Sequence, residues 1–314
     1  MNFLLPQGIG DIVWALFKIR AIRDRLDPGG PIDVHIACSA TSALESRALD
    51  FVRRFSFIDS ARMFVCGGLG ASPPVRPDGC YNYLEDGWYD YDGDRYCVLI
   101  PNETLERGER LESWLPHYAI DWSIFDEFRI DPAERTIADN LTSRLGPYVV
   151  FYPGPLFGNT TNGHNRNALW CPADWRDLAR RIHAEFRLPI VAVGAFYDAS
   201  YYDIYLAPML TADPWTNLIG ATSLGELWSV TSRARFVVSY QAGVGIVSTY
   251  LNTPTAIFWR PHGDSISPDF YLTFDEKMAS AWVPPSVIAS GRHKPLIYGR
   301  DGVDEVIKWA ANWR

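Results

Sequence analysis

The chain lacks the features that mark several large protein classes. It has no block of lysine or arginine, and 29 basic residues against 37 acidic ones give a formal net charge of -8. Affinity for phosphate backbones rests on many cationic contacts, so nucleic acid is disfavoured as a partner. No apolar run approaches the ~20 residues that a membrane-crossing helix needs. The opening "MNFLLPQGIGD" has no basic segment ahead of a long apolar one, so it does not read as a secretory signal. It reads as a strand that starts almost at residue 1. Cysteine is scarce: Cys38, Cys66, Cys80, Cys97 and Cys171 are odd in number and widely spaced. They match neither a zinc site nor a secreted disulfide framework, and a reducing cytoplasm is the expected location. The sequons at Asn102, Asn140 and Asn159 are then chance matches.

Core-forming residues are plentiful. Hydrophobic residues make up 47% of the 314 positions, which excludes a disordered or fibrous chain and suggests about two domains. Twelve tryptophans and an aromatic content of 14% are a heavy load. Most of these rings belong in cores, and some are candidates to stack on a planar or sugar ligand.

Strand and helix patterns alternate along the first half. "NFLLP" reads as a strand, "DIVWALFKIRAIRDRL" as a helix, "IDVHIACS" as a strand and "TSALESRALDFVRRF" as a helix. "ARMFVC" is a third strand. The stretch "GGLGASPPVRPDGCYNYLEDGWYDYDGD" is dense in Gly, Pro and Asp and reads as loop, after which "RYCVLIP" and "ETLERGERLESWL" restore a strand and a helix. The alternation restarts after "IDPAERTIADNLTSRLG", with strands "PYVVFYPGP", "LPIVAVG", "RFVVSY" and "PTAIFW" between helices. This is the pattern of parallel βαβ units. It predicts an α/β fold of two Rossmann-like domains, residues 1–145 and 146–314, facing each other across a cleft. The terminal "DGVDEVIKWAANWR" is a last helix, free to pack back on the first domain.

In such domains ligands bind at the carboxyl ends of strands, which directs attention to four loops. The first, "PQGIGDIVWAL", brings Gly8, Gly10 and Asp11 between strand one and helix one. It falls short of a dinucleotide fingerprint, because the third glycine position is Val13 and the second strand ends in "ACS" without an acid. Asp11 reads either as a helix N-cap or as a general base for an acceptor hydroxyl. Gly8 and Gly10 would let an acceptor approach the backbone. The second loop, "YPGPLFGNTTNGHNRNALWCPADW", offers Asn159, Thr160, His164 and Arg166 to a phosphate. The third, "VAVGAFYDASYYD", offers Gly194, Asp198 and Tyr202 to a nucleoside, unless it is an ordinary surface turn. The fourth, "SYQAGVGIVS", has Gln241, Ala242, Gly243 and Val244 where a buried strand hands over to a helix. Free backbone N–H groups there would bind an anion without any lysine. The alternative is that the glycines serve tight packing alone.

These same segments carry a family resemblance. "GIGDIVWALFKIRAI", "VVFYPGP…RNALWCPADWRDLARRI" and "NLIGATSLGELWSVTSRARFVVSYQAGVGIVSTYLNTPTAIFW" resemble, in order, the opening, the middle segment and the C-terminal block of glycosyltransferase family 9, the ADP-heptose:lipopolysaccharide heptosyltransferases. The resemblance implies the two-domain GT-B fold and an inverting, metal-independent transfer with no cofactor beyond a nucleotide-diphosphate sugar. It makes Asp11 the base, Arg166 the phosphate-loop cation and Gly243 the glycine of the donor turn. The acceptor would be a glycan or another hydroxyl-bearing substrate. Gln241, Ala242 and Ile246 stand where the family has Asp, Ser or Thr, and His. Those departures leave two alternatives beside the leading reading. One is a catalytically impaired nucleotide-sugar binding protein, and the other a transferase acting on a different acceptor, such as a modified nucleobase. Trp282, Phe274 and Asp275 either cap the donor pocket or close the second domain.

Overall fold

A computed structural model describes residues 1–6, 8–38, 43–65, 87–91, 93–99, 111–114, 117–153, 172–199, 215–259, 280, 282–297 and 301–314. The chain forms two compact units, Met1–Arg129 and Ile130–Arg314. The division falls ahead of the 145/146 boundary expected from the sequence, for a local reason. The helix Pro132–Thr142 belongs to the second unit. Glu134 accepts a 3.0 Å hydrogen bond from the Ser223 hydroxyl, and Asp139 pairs with Arg233. An Asp131/Glu134 capping box starts this helix, with Pro132 at its first position.

The first unit holds strands β1 (Asn2–Leu5), β2 (Asp33–Cys38), β3 (Ser60–Val65), β4 (Gly87–Tyr91) and β5 (Asp94–Val98), in the order β3-β2-β1-β5-β4. β1 runs parallel to β2 and β5, and β2 parallel to β3. β4 departs from the expectation. It lies in the stretch read as loop and pairs antiparallel with β5, Tyr91 opposite Asp94. Gly93, at φ +84°, makes the turn between them, and the "DG" dipeptide at 92–93 is a strong hairpin signal.

Helix α1 (Ile9–Leu26) follows β1 and buries residues around almost its whole circumference, from Ile12 through Ile19. Helix α2 (Ala43–Val52) follows β2, and a short helical turn α3 spans Leu111–Trp114. Phe51, Phe55, Phe125 and Phe128 pack ring against ring with centroids 5.1–5.6 Å apart. Much of the aromatic load is therefore core.

The second unit is a parallel sheet of β6 (Val149–Tyr152), β7 (Ile190–Ala192), β8 (Trp215–Asn217), β9 (Phe236–Tyr240), β10 (Thr255–Trp259) and β11 (His293–Ile297), in the order β11-β10-β9-β6-β7-β8. Every pairing is parallel. Counted from β6, the order is third, second, first, fourth, fifth, sixth: the doubly wound Rossmann arrangement, whose direction reverses between β6 and β9. Its helices are α4 (Pro132–Thr142), α5 (Pro172–Phe186), α6 (Leu224–Ser232), α7 (Gly243–Tyr250), α8 (Pro285–Ala289) and α9 (Val303–Ala310).

Alternation along β9 sorts these helices onto two faces. Tyr240 meets Trp175 of α5 and Phe236 meets Trp309 of α9, at 5.3 and 5.7 Å. The intervening Ser239 faces α7 instead. The last helix thus packs within its own unit, on the α5 face, where Asp304 pairs with Arg181. β8 and β11, the sheet's two edges, have no counterpart in the sequence reading. β11 carries Pro295, which is tolerated because an edge strand needs hydrogen bonds on one side only.

Gly245 fixes how closely α7 approaches the sheet. A Cβ at this position would lie 3.0 Å from the Cβ and Oγ of Ser239 and 3.1 Å from Cγ1 of Ile257. Both neighbours are fully buried, so neither has room to retreat. Gly245→Ala should therefore destabilise the protein by ~1–3 kcal/mol through overpacking. Urea unfolding followed by circular dichroism measures this, and an unchanged midpoint would show that the contact is not tight.

Candidate functional site

Each unit ends its central strand in a glycine-bearing turn that opens a helix with no side-chain cap. In the first unit β1 passes through Pro6 into α1, whose N-cap is Gly8 at φ -68° and ψ 122°, without a side-chain hydrogen bond. Asp11 is the third residue of the helix, so it is not the N-cap that its position in the sequence allowed. A Cβ on Gly8 would lie 2.6 Å from Oδ2 of Asp11. The carboxylate therefore folds back over the first turn of α1, into space that glycine leaves open. Gly10 is buried within that turn and presents no backbone to a substrate, whereas Gly8 is exposed.

Among the described residues none pairs with Asp11 or hydrogen-bonds its side chain. Burial pushes its carboxyl up to about 6, from an ordinary value of 3.8. A carboxylate that titrates near neutrality and is not tied into a salt bridge is suited to accept a proton.

In the second unit β9 ends at Tyr240 and the chain turns through Gln241 and Ala242 into α7. The Gln241 N–H is used by the Phe258 carbonyl at 3.0 Å, and Ile246 donates to the Ala242 carbonyl at 3.1 Å. Between them the N–H groups of Gly243, Val244 and Gly245 have no acceptor among the described residues. Ala242, the N-cap, has no side-chain oxygen to supply one, and the first turn of α7 carries no acid. The result is three donors at the positive end of a helix dipole, with no competing acceptor among the described residues. This turn lies beside β6, at the point where the sheet reverses direction. The packing reading of its glycines holds for one of the two. Gly245 is demanded by packing, and Gly243 lies in the half-buried turn at the open end. Ile246 is buried in the core, so the residue standing in the family's His position does not face this turn.

After β7 the chain turns a corner in which Phe196 is exposed and the acid is buried. Asp198 lies inside it, 1% exposed, and accepts hydrogen bonds from the Ala195 N–H at 2.8 Å and the Tyr152 hydroxyl at 3.2 Å. A Cβ on Gly194 would come within 2.9 Å of the same carboxylate. Asp198 therefore shapes the ends of β6 and β7. Sequence reasoning gave no hint of its partner Tyr152, nor of Trp175, whose indole N–H donates to the Tyr240 hydroxyl at 2.9 Å and anchors the end of β9. A polar aromatic at a strand's last position was the available signal. Tyr202, Asn159, Thr160, His164 and Arg166 lie outside the described residues, as do Phe274 and Asp275. Trp282 is buried against Tyr250 and Trp259, at 5.6 and 5.8 Å, which makes it a closing element of its unit.

Solved structures share this fold over both units. E. coli ADP-heptose lipopolysaccharide heptosyltransferase II matches with a TM-score of 0.58 at 15% identity, covering 99% of this chain and 97% of that one. A glycosyl transferase family 9 protein from Veillonella parvula gives 0.61 at 11% identity over 99% and 96%. E. coli heptosyltransferase WaaC with ADP gives 0.53 at 13% identity, covering each chain in full. No protein-family model matches the chain, and no curated protein matches it significantly. The chain has the two-domain GT-B fold, as the sequence resemblance implied; at these identities the likeness carries the fold alone. No helix among the described residues is long and apolar enough to cross a membrane.

The raised value at Asp11 has a measurable cost. The unfolded chain releases this proton near pH 4 and the folded protein near 6, so in between the folded state holds more protons. Stability then falls as pH rises across that window and stays lower above it. Asp11→Asn removes the charge, so its Tm should exceed the wild-type value at pH 7.5 and converge with it near pH 4. A variant less stable than wild type at pH 7.5 would mean that the carboxylate is paired.

Proposed function

We propose that the protein is an inverting glycosyltransferase, independent of metal, that moves a sugar from a nucleotide-diphosphate donor to an acceptor hydroxyl in the cytoplasm. The observation that carries this reading is the pair of uncapped helix starts at strand ends of a GT-B fold. One holds a carboxylate that titrates at about 6 and the other three amides, and among the described residues neither has a hydrogen-bond partner. Acid–base chemistry and diphosphate binding are the two things that such a transfer asks of a protein.

In the proposed reaction the acceptor oxygen attacks the anomeric carbon from the face opposite the diphosphate. As that C–O bond forms, Asp11 takes the hydroxyl proton. The bond from the anomeric carbon to the phosphate oxygen breaks, and its electron pair leaves with the nucleoside diphosphate. Charge on the departing oxygen grows through the transition state, and the amides of Gly243, Val244 and Gly245 stabilise it from fixed positions. Gln241, with a donor and an acceptor on one amide, is placed at the same turn to bind a sugar or ribose hydroxyl. Arg166, Asn159 and Thr160 complete the phosphate loop in this reading, and Gly194, Asp198 and Tyr202 border the nucleoside. The side chain of Ala242 offers nothing polar, so the donor turn relies on backbone. A nucleotide sugar other than ADP-heptose is therefore a natural donor.

The base assignment is tested with Asp11→Asn. Transfer should fall ~10²–10⁴-fold while donor binding, measured by calorimetry, is retained. In the wild type kcat/KM should rise with pH through about 6 and level off, as the carboxylate ionises. Wild-type transfer by the variant would refute the assignment. A wild-type protein that binds donor and never turns it over would be a binding module. The donor turn is tested with Gly243→Pro, which removes one N–H at a helix position where proline fits and leaves the side-chain chemistry alone. Losing one hydrogen bond to a charged diphosphate should weaken donor binding ~10–100-fold. Unchanged affinity would show that the diphosphate is held elsewhere.

A further inference from the structure

The second unit carries another concave site, at the opposite end of its sheet from the α7 turn. Parallel register sets the residues that precede neighbouring strands side by side. Arg235 comes just before β9, Pro254 before β10 and Arg292 before β11, and the Arg235 N–H bonds the Tyr148 carbonyl beside β6. Together with Arg233, Trp313 and Arg314 they line a cavity of about 530 Å³. That is within the usual range for a small-molecule site.

The charges in this cavity are unbalanced. Four arginines line it, and among the described residues the one side-chain carboxylate paired with any of them is that of Asp139, on Arg233. Arg292 is partly committed: it donates to the Asn252 carbonyl at 3.1 Å and lies over the Trp313 ring at 6.0 Å. Arg235 and Arg314 have no side-chain partner among the described residues. The indole N–H of Trp313 is sealed from solvent, with no acceptor among the described residues. Clustered cations in a chain of net charge -8 repel one another and gain by acquiring a multiply charged anion. Guanidinium forks are all donors, and a phosphate group presents acceptor oxygens in several directions at once.

We infer that this arginine pocket is a second ligand site, which binds a phosphate-bearing polyanion. Its ligand is either a soluble diphosphate-type metabolite or a phosphate headgroup at an anionic lipid surface. The site is separate from the donor turn in both position and chemistry, because one uses side-chain cations and the other backbone amides.

The test uses the full chain with inorganic pyrophosphate in calorimetry at low salt, and sedimentation with vesicles of phosphatidylglycerol or of phosphatidylcholine. Arg235→Ala/Arg314→Ala changes only exposed side chains, and its circular dichroism and Tm check the fold. Support takes one of two forms. Pyrophosphate binding that persists in Gly243→Pro and falls at least tenfold in the double variant identifies a soluble ligand. Salt-sensitive sedimentation with phosphatidylglycerol alone, lost in the double variant, identifies a headgroup. A folded double variant equal to wild type in both assays overturns the inference. Because Gly243→Pro is measured alongside, failure of the donor turn is read separately from failure of this pocket.

Discussion

The functional reading depends on one constraint of backbone chemistry: a helix that begins at the end of a buried parallel strand cannot satisfy its own first N–H groups. In α7 those groups belong to Gly243, Val244 and Gly245, and the chain supplies no acceptor for them among the described residues. Leaving buried donors unpaired costs free energy, and chains normally spend a Ser, Thr, Asp or Asn on the problem. This same unit does so twice, with Asp131 at the start of α4 and Ser223 at the start of α6. α8 and α9 also start without a side-chain cap, and what sets α7 and α1 apart is that they follow the central strands β9 and β1.

Packing and function share these turns. Gly245 lets α7 settle on Ser239 and Ile257, and that depth determines where the amides before it point. Gly8 makes room for the Asp11 carboxylate above α1, which keeps the group close to the helix start. In each case the missing Cβ is used on one side for fit and leaves its neighbour available for chemistry. The buried corner around Asp198 and Tyr152, and the Trp175–Tyr240 hydrogen bond, hold the neighbouring strand ends in place.

Much of this was legible in the sequence, and the rest was hidden for identifiable reasons. Long apolar strands followed by periodic helices, such as "RFVVSY" before "GIVSTYLN", announce themselves because burial on both faces leaves no alternative composition. Asp11 and Gly243 stood out because they interrupt such patterns at strand ends. β8 and β11 did not, being short edge strands, one of them containing Pro295. β4 was lost in a Gly- and Asp-rich stretch despite its "DG" turn. The unit boundary was misplaced because α4 is joined to its unit by partners distant in sequence, Ser223 and Arg233, which no local pattern reports. Asp198 looked like one more polar residue in a turn, and only the fold brings the Tyr152 hydroxyl to it.

The central claim concerns particular amides, and nuclear magnetic resonance reads amides one at a time. Protein labelled with ¹⁵N-glycine, its resonances assigned by substitution, would be titrated with a nucleoside diphosphate. The account predicts that the Gly243 and Gly245 signals move downfield together, saturably, while Gly225 and Gly29 stay in place. A titration in which the diphosphate binds and the Gly243 signal does not move would contradict it.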